Sequence, residues 1–230
     1  MTTPIAVYRH APHKAMGLAA ACVLGVVPAA AFGAWLVAPP LLAVAGVVAL
    51  AHVRYQVRLY PDRLSRTNLL GTTTVALGPE TRYFYRSQSE SAERERGNPR
   101  TDLEVDDGRY QLRISARLPN VELLRKYLIA NELEQFLPSA RAHYLRGGAV
   151  DFGPVALRRG VLKVGDRIQT LASVGDMRLY KGRFRVRPRD RAQALIEVPV
   201  ASIANQFSFF QLVREAYQAD VPPDSRLSTF

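Results

Sequence analysis

A single cysteine, Cys22, in a chain of 230 residues excludes a disulfide framework and a cysteine-based zinc site. The four histidines, His10, His13, His52 and His143, are scattered, and no HExxH, CxxC, GxSxG or P-loop pattern occurs. No residue set argues for catalysis, and no cofactor or metal is called for. An aromatic-interleaved RNA motif and a DNA-reading helix signature are also missing, which disfavours nucleic acid as a partner. The longest absence is of charge. Ala15 to Ala51 runs for 37 residues with no ionisable side chain except the Cys22 thiol.

That apolar run is too long for one membrane span and is interrupted by Pro39-Pro40. About 20 apolar residues cross a hydrocarbon core. Ala15 to Leu36 meets this length, and Val37 to Val53 is a shorter second stretch that the two prolines are placed to open. The pattern predicts a transmembrane helical hairpin over 15–53, with Gly17, Ala21, Gly25, Ala29 and Gly33 as a small-residue packing face. Arg9 and Lys14 precede it and Arg54 and Arg58 follow it. Basic flanks stay cytoplasmic, so the expected location is a bacterial inner membrane, multi-pass, with both termini cytoplasmic. A cleaved signal peptide ending near Ala29-Ala30-Ala31 is the competing reading, but it leaves Pro39-Pro40 inside the remaining span.

Net charge is +11, and Arg54 onward carries 29 of the 31 basic residues and all 20 acidic ones. Such an excess attracts a polyanion. After the anchor, short alternating runs with turn punctuation predict strands at 54–60, 63–69, 72–77, 81–86 and, around Asp107-Gly108, 102–115. A two-residue turn at Asp107-Gly108 sets Glu104 opposite Gln111 and Leu103 opposite Leu112. It also makes Asp102, Glu104 and Asp106 a strand face rather than a calcium loop. The polar stretch 87–101 reads as a loop. Helical spacing follows from Asn120, with Val121, Leu124 and Leu128 on one face, then a break near Pro138, a short helix capped by Ser139, and Gly147-Gly148.

The second half repeats the plan. Strands are expected at 154–159, 161–164, 167–171, 174–180, 183–187 and 192–200. An amphipathic helix capped by Asn205 then buries Phe209, Leu212, Val213, Ala216 and Tyr217. Short antiparallel strands ending in one such helix have the plan of a pleckstrin-homology-like barrel. The expected fold class is a membrane α-helical hairpin plus an α+β soluble part of two small antiparallel pleckstrin-homology-like β modules, each closed by a helix. The expected organisation is an N-terminal cytoplasmic segment (1–14), the hairpin (15–53), a first module with C-terminal helices (54–147), a second module (148–220) and a flexible tail (221–230).

Asp151-Phe152-Gly153-Pro154, with Val198-Pro199-Val200 leading to Ile203-Ala204-Asn205, resembles an uncharacterised family of bacterial membrane proteins with pleckstrin-homology-like domains. The resemblance spans about eighty residues. It implies a fold and a membrane context, and it brings no catalytic residue.

One surface invites a sharper expectation. Lys181-Gly182 forms a turn between strands that pair Leu179 with Phe184 and Met177 with Val186. The opposite face carries Arg178, Tyr180, Arg183, Arg185 and Arg187, with only Asp176 against them, and Arg158 and Arg159 lie nearby in sequence. Arg178 directly across from Arg185 is a destabilising pairing unless an anion meets the face. These seven residues are the expected anion- or partner-binding set. The expected function is that of a membrane-anchored, non-enzymatic binding or scaffold protein. Its partners would be the lipid bilayer and either anionic lipid headgroups or an acidic protein. A dedicated immunity or regulatory partner is the rival within that class, and a membrane-associated enzyme the rival outside it.

Overall fold

The computed structural model describes residues 3–9, 17, 20, 38–87, 101–190 and 195–220. In chain order the elements are β1 (Ala6–Arg9), α1 (Ala38–Arg54), β2 (Gln56–Leu59), β3 (Arg63–Asn68), β4 (Gly71–Ala76), β5 (Arg82–Ser87), β6 (Thr101–Asp106) and β7 (Gln111–Ile114). Helix α2 (Val121–Asn131), a π-helical turn (Glu132–Phe136) and α3 (Leu137–Leu145) come next. Strands β8 (Val150–Asp151), β9 (Val155–Arg158), β10 (Val161–Val164), β11 (Arg167–Thr170), β12 (Val174–Tyr180), β13 (Arg183–Pro188) and β14 (Ile196–Pro199) follow, and α4 (Gln206–Asp220) closes the described chain.

The membrane hairpin is overturned. Helix α1 is 17 residues long, about 25 Å at 1.5 Å per residue, against a hydrocarbon core of about 30 Å. Among the described residues no helix is long and apolar enough to cross a membrane. The multi-pass inner-membrane location and the membrane class fall with the hairpin. The span expected at 15–36 lies outside the described residues except for positions 17 and 20, as do the signal-peptide alternative, the expected loop over 88–100 and the tail from 221. In place of the expected fold class stand small antiparallel sheets with a few helices. Their orders are β1-β2-β3-β4, β5-β6-β7, β11-β10-β9-β8 and β12-β13-β14.

The chain divides into two compact units, Met1–Ala76 with Arg117–Glu122, and Leu77–Ala116 with Leu123–Phe230. The first holds the four-stranded sheet of β1 to β4. Its alternation buries Val57, Leu59, Leu64 and Val75 on one face, as a half-buried antiparallel sheet requires. Strand β1, unforeseen in the sequence, pairs with β2 from Ala6 opposite Leu59 to Arg9 opposite Gln56.

The second unit holds the other three sheets and α2 to α4. Its largest core joins inward side chains of both later sheets (Val155, Leu157, Leu162, Met177, Phe184, Val186) to α4 through Phe209, Leu212, Val213, Ala216 and Tyr217. The helix face read from the sequence is therefore the buried one. Edge-to-face contacts of Phe209 with Phe152 (5.1 Å) and Phe184 (5.2 Å) centre this core. The β6–β7 register differs from expectation by two residues: Glu104 faces Arg113 and Leu103 faces Ile114. The cause is local. Asp106 Oδ1 accepts the Gly108 N–H (2.8 Å), and Asp107 Oδ1 accepts those of Arg109 (2.9 Å) and Tyr110 (2.7 Å), so side chains close a longer loop. An even shift leaves every side chain on its expected face.

Pro138 does not break the helical segment as expected, and Ser139 caps nothing. The chain widens into the π turn, where the Leu137 N–H donates to Glu132 O, and Pro138 sits in the first turn of α3, where its missing N–H costs nothing.

Candidate functional site

The basic face is built by the β12–β13 hairpin and its neighbour β14. Lys181 (φ 50°) and Gly182 (φ 67°) both take positive φ, the geometry of a tight two-residue hairpin turn. The register then sets Arg178 opposite Arg185, Tyr180 opposite Arg183 and Asp176 opposite Arg187. Met177, Phe184 and Val186 point into the core, which turns the arginines outward. Leu179 shares the expected core side yet is 51% exposed, because the hairpin tip extends past the core.

Strand β14 supplies what the sequence reading missed. Glu197 pairs with Arg185 across the sheet. Its two oxygens lie 3.0 Å from Arg183 Nε and 2.7 Å from Arg185 Nε, and Asp176 lies 3.4 Å from Arg178 Nε. The Arg178–Arg185 repulsion is thus relieved within the fold. The Tyr180 ring adds a negative π-face to the cluster, with Arg185 at 4.2 Å, Lys181 at 5.4 Å and Arg178 at 6.0 Å from its centroid. Cations still exceed carboxylates. Among the described residues, Arg178, Lys181, Arg183, Arg185 and Arg187 face only Asp176 and Glu197 here, and the Arg178 and Arg183 side chains stay about half exposed at 49% and 46%.

Arg158 and Arg159 do not join this cluster. They sit at the end of β9, in the sheet of β8 to β11. Both later sheets turn their inner faces to the same core, so their outer faces are separate surfaces. Arg158 Nε donates to Gly147 O (3.2 Å), and the Arg159 guanidinium packs over Gly147 so closely that a Cβ there would collide with it. Together with Lys163, Ala156, Val161 and Ile168, the two arginines line a shallow groove of about 490 Å³.

A buried polar cluster lies elsewhere in the same unit. Glu132, in the π turn, is wholly buried. Its Oε1 accepts the Ser208 N–H at the start of α4 (2.7 Å). Burial raises its pKa from 4.5 to about 7, against the pull of the Ser208 amide and of the Ser208 and Tyr85 hydroxyls beside it. Glu132 Oε2 and the Tyr85 and Ser208 hydroxyls close no hydrogen bond of normal geometry. Next to them the Tyr83 hydroxyl donates to Asn131 Oδ1 (2.7 Å). The sequence held a signal for this residue: Leu124, Leu128 and Glu132 recur every four positions, which places Glu132 on the buried face.

The acidic residues of β6 serve local structure. Glu104 accepts from Arg86 Nη2 (3.0 Å) and Gln111 Nε2 (2.7 Å), and Asp102 Oδ1 accepts the Ala116 N–H (2.9 Å). Among the described residues no group of three or more His, Cys, Asp or Glu side chains could hold a metal ion.

Among the described residues, small antiparallel sheets are packed with a few helices, and the outer face of β12 and β13 is basic. The chain belongs to a family of unknown function (DUF6585), whose model matches residues 15–221. That match carries the family alone; a bacterial origin, a membrane nature and pleckstrin-homology-like domains do not come with it. No curated protein and no solved structure matches the chain.

Proposed function

We propose that the protein is a non-enzymatic binding protein that holds an acidic, extended segment of another protein on the outer face of β12 and β13. The observation that carries this reading is the excess of cations on this face: Arg178, Lys181 and Arg185 lie at the Tyr180 ring, Arg183 stands opposite it and Arg187 stands further along β13, against Asp176 and Glu197 among the described residues. Spacing points to a peptide. Arg183, Arg185 and Arg187 occupy alternate positions of one strand, about 7 Å apart along it. An extended partner with a carboxylate at every second residue repeats the same distance. Guanidinium groups bind carboxylates in a planar fork, and Tyr180 adds a rigid, exposed aromatic surface of the type enriched at interfaces.

The test is fluorescence anisotropy of the full chain with a labelled peptide of alternating Glu and Ser. Binding should weaken with salt. In an Arg178→Gln/Arg183→Gln/Arg187→Gln variant it should fall by about tenfold or more. Equal binding by wild type and variant would refute the reading. Salt-sensitive binding to anionic vesicles with no peptide binding would assign the face to lipid headgroups instead.

A further inference from the structure

The groove on the β9–β11 sheet is a second surface, and its chemistry differs from that of the β12–β13 face. Along it the register aligns Ala156, Lys163 and Ile168 in one row across three strands, and Arg158 and Val161 in the next. The alternation that buries Leu157 and Leu162 turns these side chains outward. Ile168, on the edge strand β11, is 70% exposed. Ala156, Val161 and Ile168 give the groove apolar surface, Lys163 stands between Ala156 and Ile168, Arg158 and Arg159 lie at one end, and among the described residues no carboxylate lines it. The Arg158 guanidinium is tied to the Gly147 carbonyl, and the Arg159 guanidinium lies against Gly147.

We infer that this groove docks an acidic protein segment that carries one apolar anchor side chain. Charge complementarity selects the partner, because three cations, with no carboxylate among the described lining residues, attract an acidic chain and repel a basic one. The exposed Ile168, Val161 and Ala156 surface selects the anchor, because burying it gains free energy only against another apolar group. A purely ionic ligand would leave that surface wet. The β12–β13 face, by contrast, is ionic and aromatic with two carboxylates of its own, and among the described residues it offers no comparable apolar surface.

The experiment compares two labelled peptides on the full chain by anisotropy, one all Glu and one of equal length with a central Leu. The Leu peptide should bind about tenfold more tightly than the all-Glu peptide. Ile168→Asp and Lys163→Glu should each abolish that advantage, whereas Arg183→Gln/Arg187→Gln should leave it intact. Because Ile168 is exposed, Ile168→Asp should keep the wild-type circular dichroism and melting curve, which separates lost docking from lost folding. Equal affinity for the two peptides, or an advantage that survives Ile168→Asp, would overturn the inference. So would loss of the advantage in Arg183→Gln/Arg187→Gln, which would merge the two surfaces. Binding of single-stranded DNA or anionic vesicles that Lys163→Glu abolishes, with no preference for the Leu peptide, would overturn it in favour of a different class of partner.

Discussion

Glu132 makes stability depend on pH in a direction opposite to that of most carboxylates. Its folded-state pKa is raised to about 7 from 4.5 because burial penalises the charged form. Between those values the folded chain holds a proton that the unfolded chain has released, so stability falls as pH rises through this window. Below 4.5 both states are protonated and the group costs nothing; above about 7 the cost is complete. A shift of that size corresponds to about 3 kcal/mol. Glu132→Gln keeps an oxygen for the Ser208 N–H and offers an amide donor toward the Tyr85 and Ser208 hydroxyls, with no charge to bury. The variant should therefore be more stable than wild type by up to about 3 kcal/mol near pH 8, with the gain shrinking toward zero near pH 4.5. Urea midpoints of both proteins across that range provide the measurement. Only the wild-type-minus-variant difference is used, because other groups titrate in both. A difference that stays constant with pH would refute the reasoning, and so would one that grows as pH falls.

Three further outcomes follow from the packing. Asn205, at φ 50°, accepts the Tyr83 N–H (2.8 Å) and donates from Nδ2 to Thr81 O (3.2 Å), so Asn205→Ala should cost about 2–4 kcal/mol in urea unfolding by stranding two buried backbone groups. Asn205→Gly, which removes the backbone strain but not the lost bonds, should be no better than slightly milder than Ala. Phe209→Ala should lose about 3–5 kcal/mol, because the ring meets both Phe152 and Phe184 at the centre of the core. Gly182→Ala should destabilise by about 1 kcal/mol through its positive φ alone, since open space surrounds the position; thermal melting reads the change.

The hairpin at Lys181-Gly182 was legible because turn chemistry, hydrophobic alternation and charge all specify one register, and the observed pairs are those the sequence implied. The buried stripe of α4 was legible for a similar reason, as a long periodic pattern with large side chains. Asn205 shows the limit of local reading. It stands just before α4, but its side chain reaches across to β5 rather than capping the helix, and that partner lies 122 residues away. Glu197 escaped notice because its pairing with Arg185 is a property of the third strand, not of the hairpin. Strand β1 is four residues long and finds its partner beyond α1, so nothing local marks it. The apolar run misled for a physical reason. Hydropathy counts residues, whereas crossing a membrane requires one helix of sufficient length, and α1 begins at Ala38 and ends at Arg54.

Photo-crosslinking tests the central claim most directly. A benzophenone amino acid placed at Tyr180, 43% exposed amid the arginines, should label the Glu-Ser peptide in the full chain and not its Lys-Ser counterpart. The same group at Tyr110, 60% exposed beside Asp106 and Asp107, should label neither appreciably more than background for the acidic peptide. Labelling of the Glu-Ser peptide at Tyr180 alone is the result expected of a basic docking face. Equal labelling at both positions, or none at Tyr180, would contradict it.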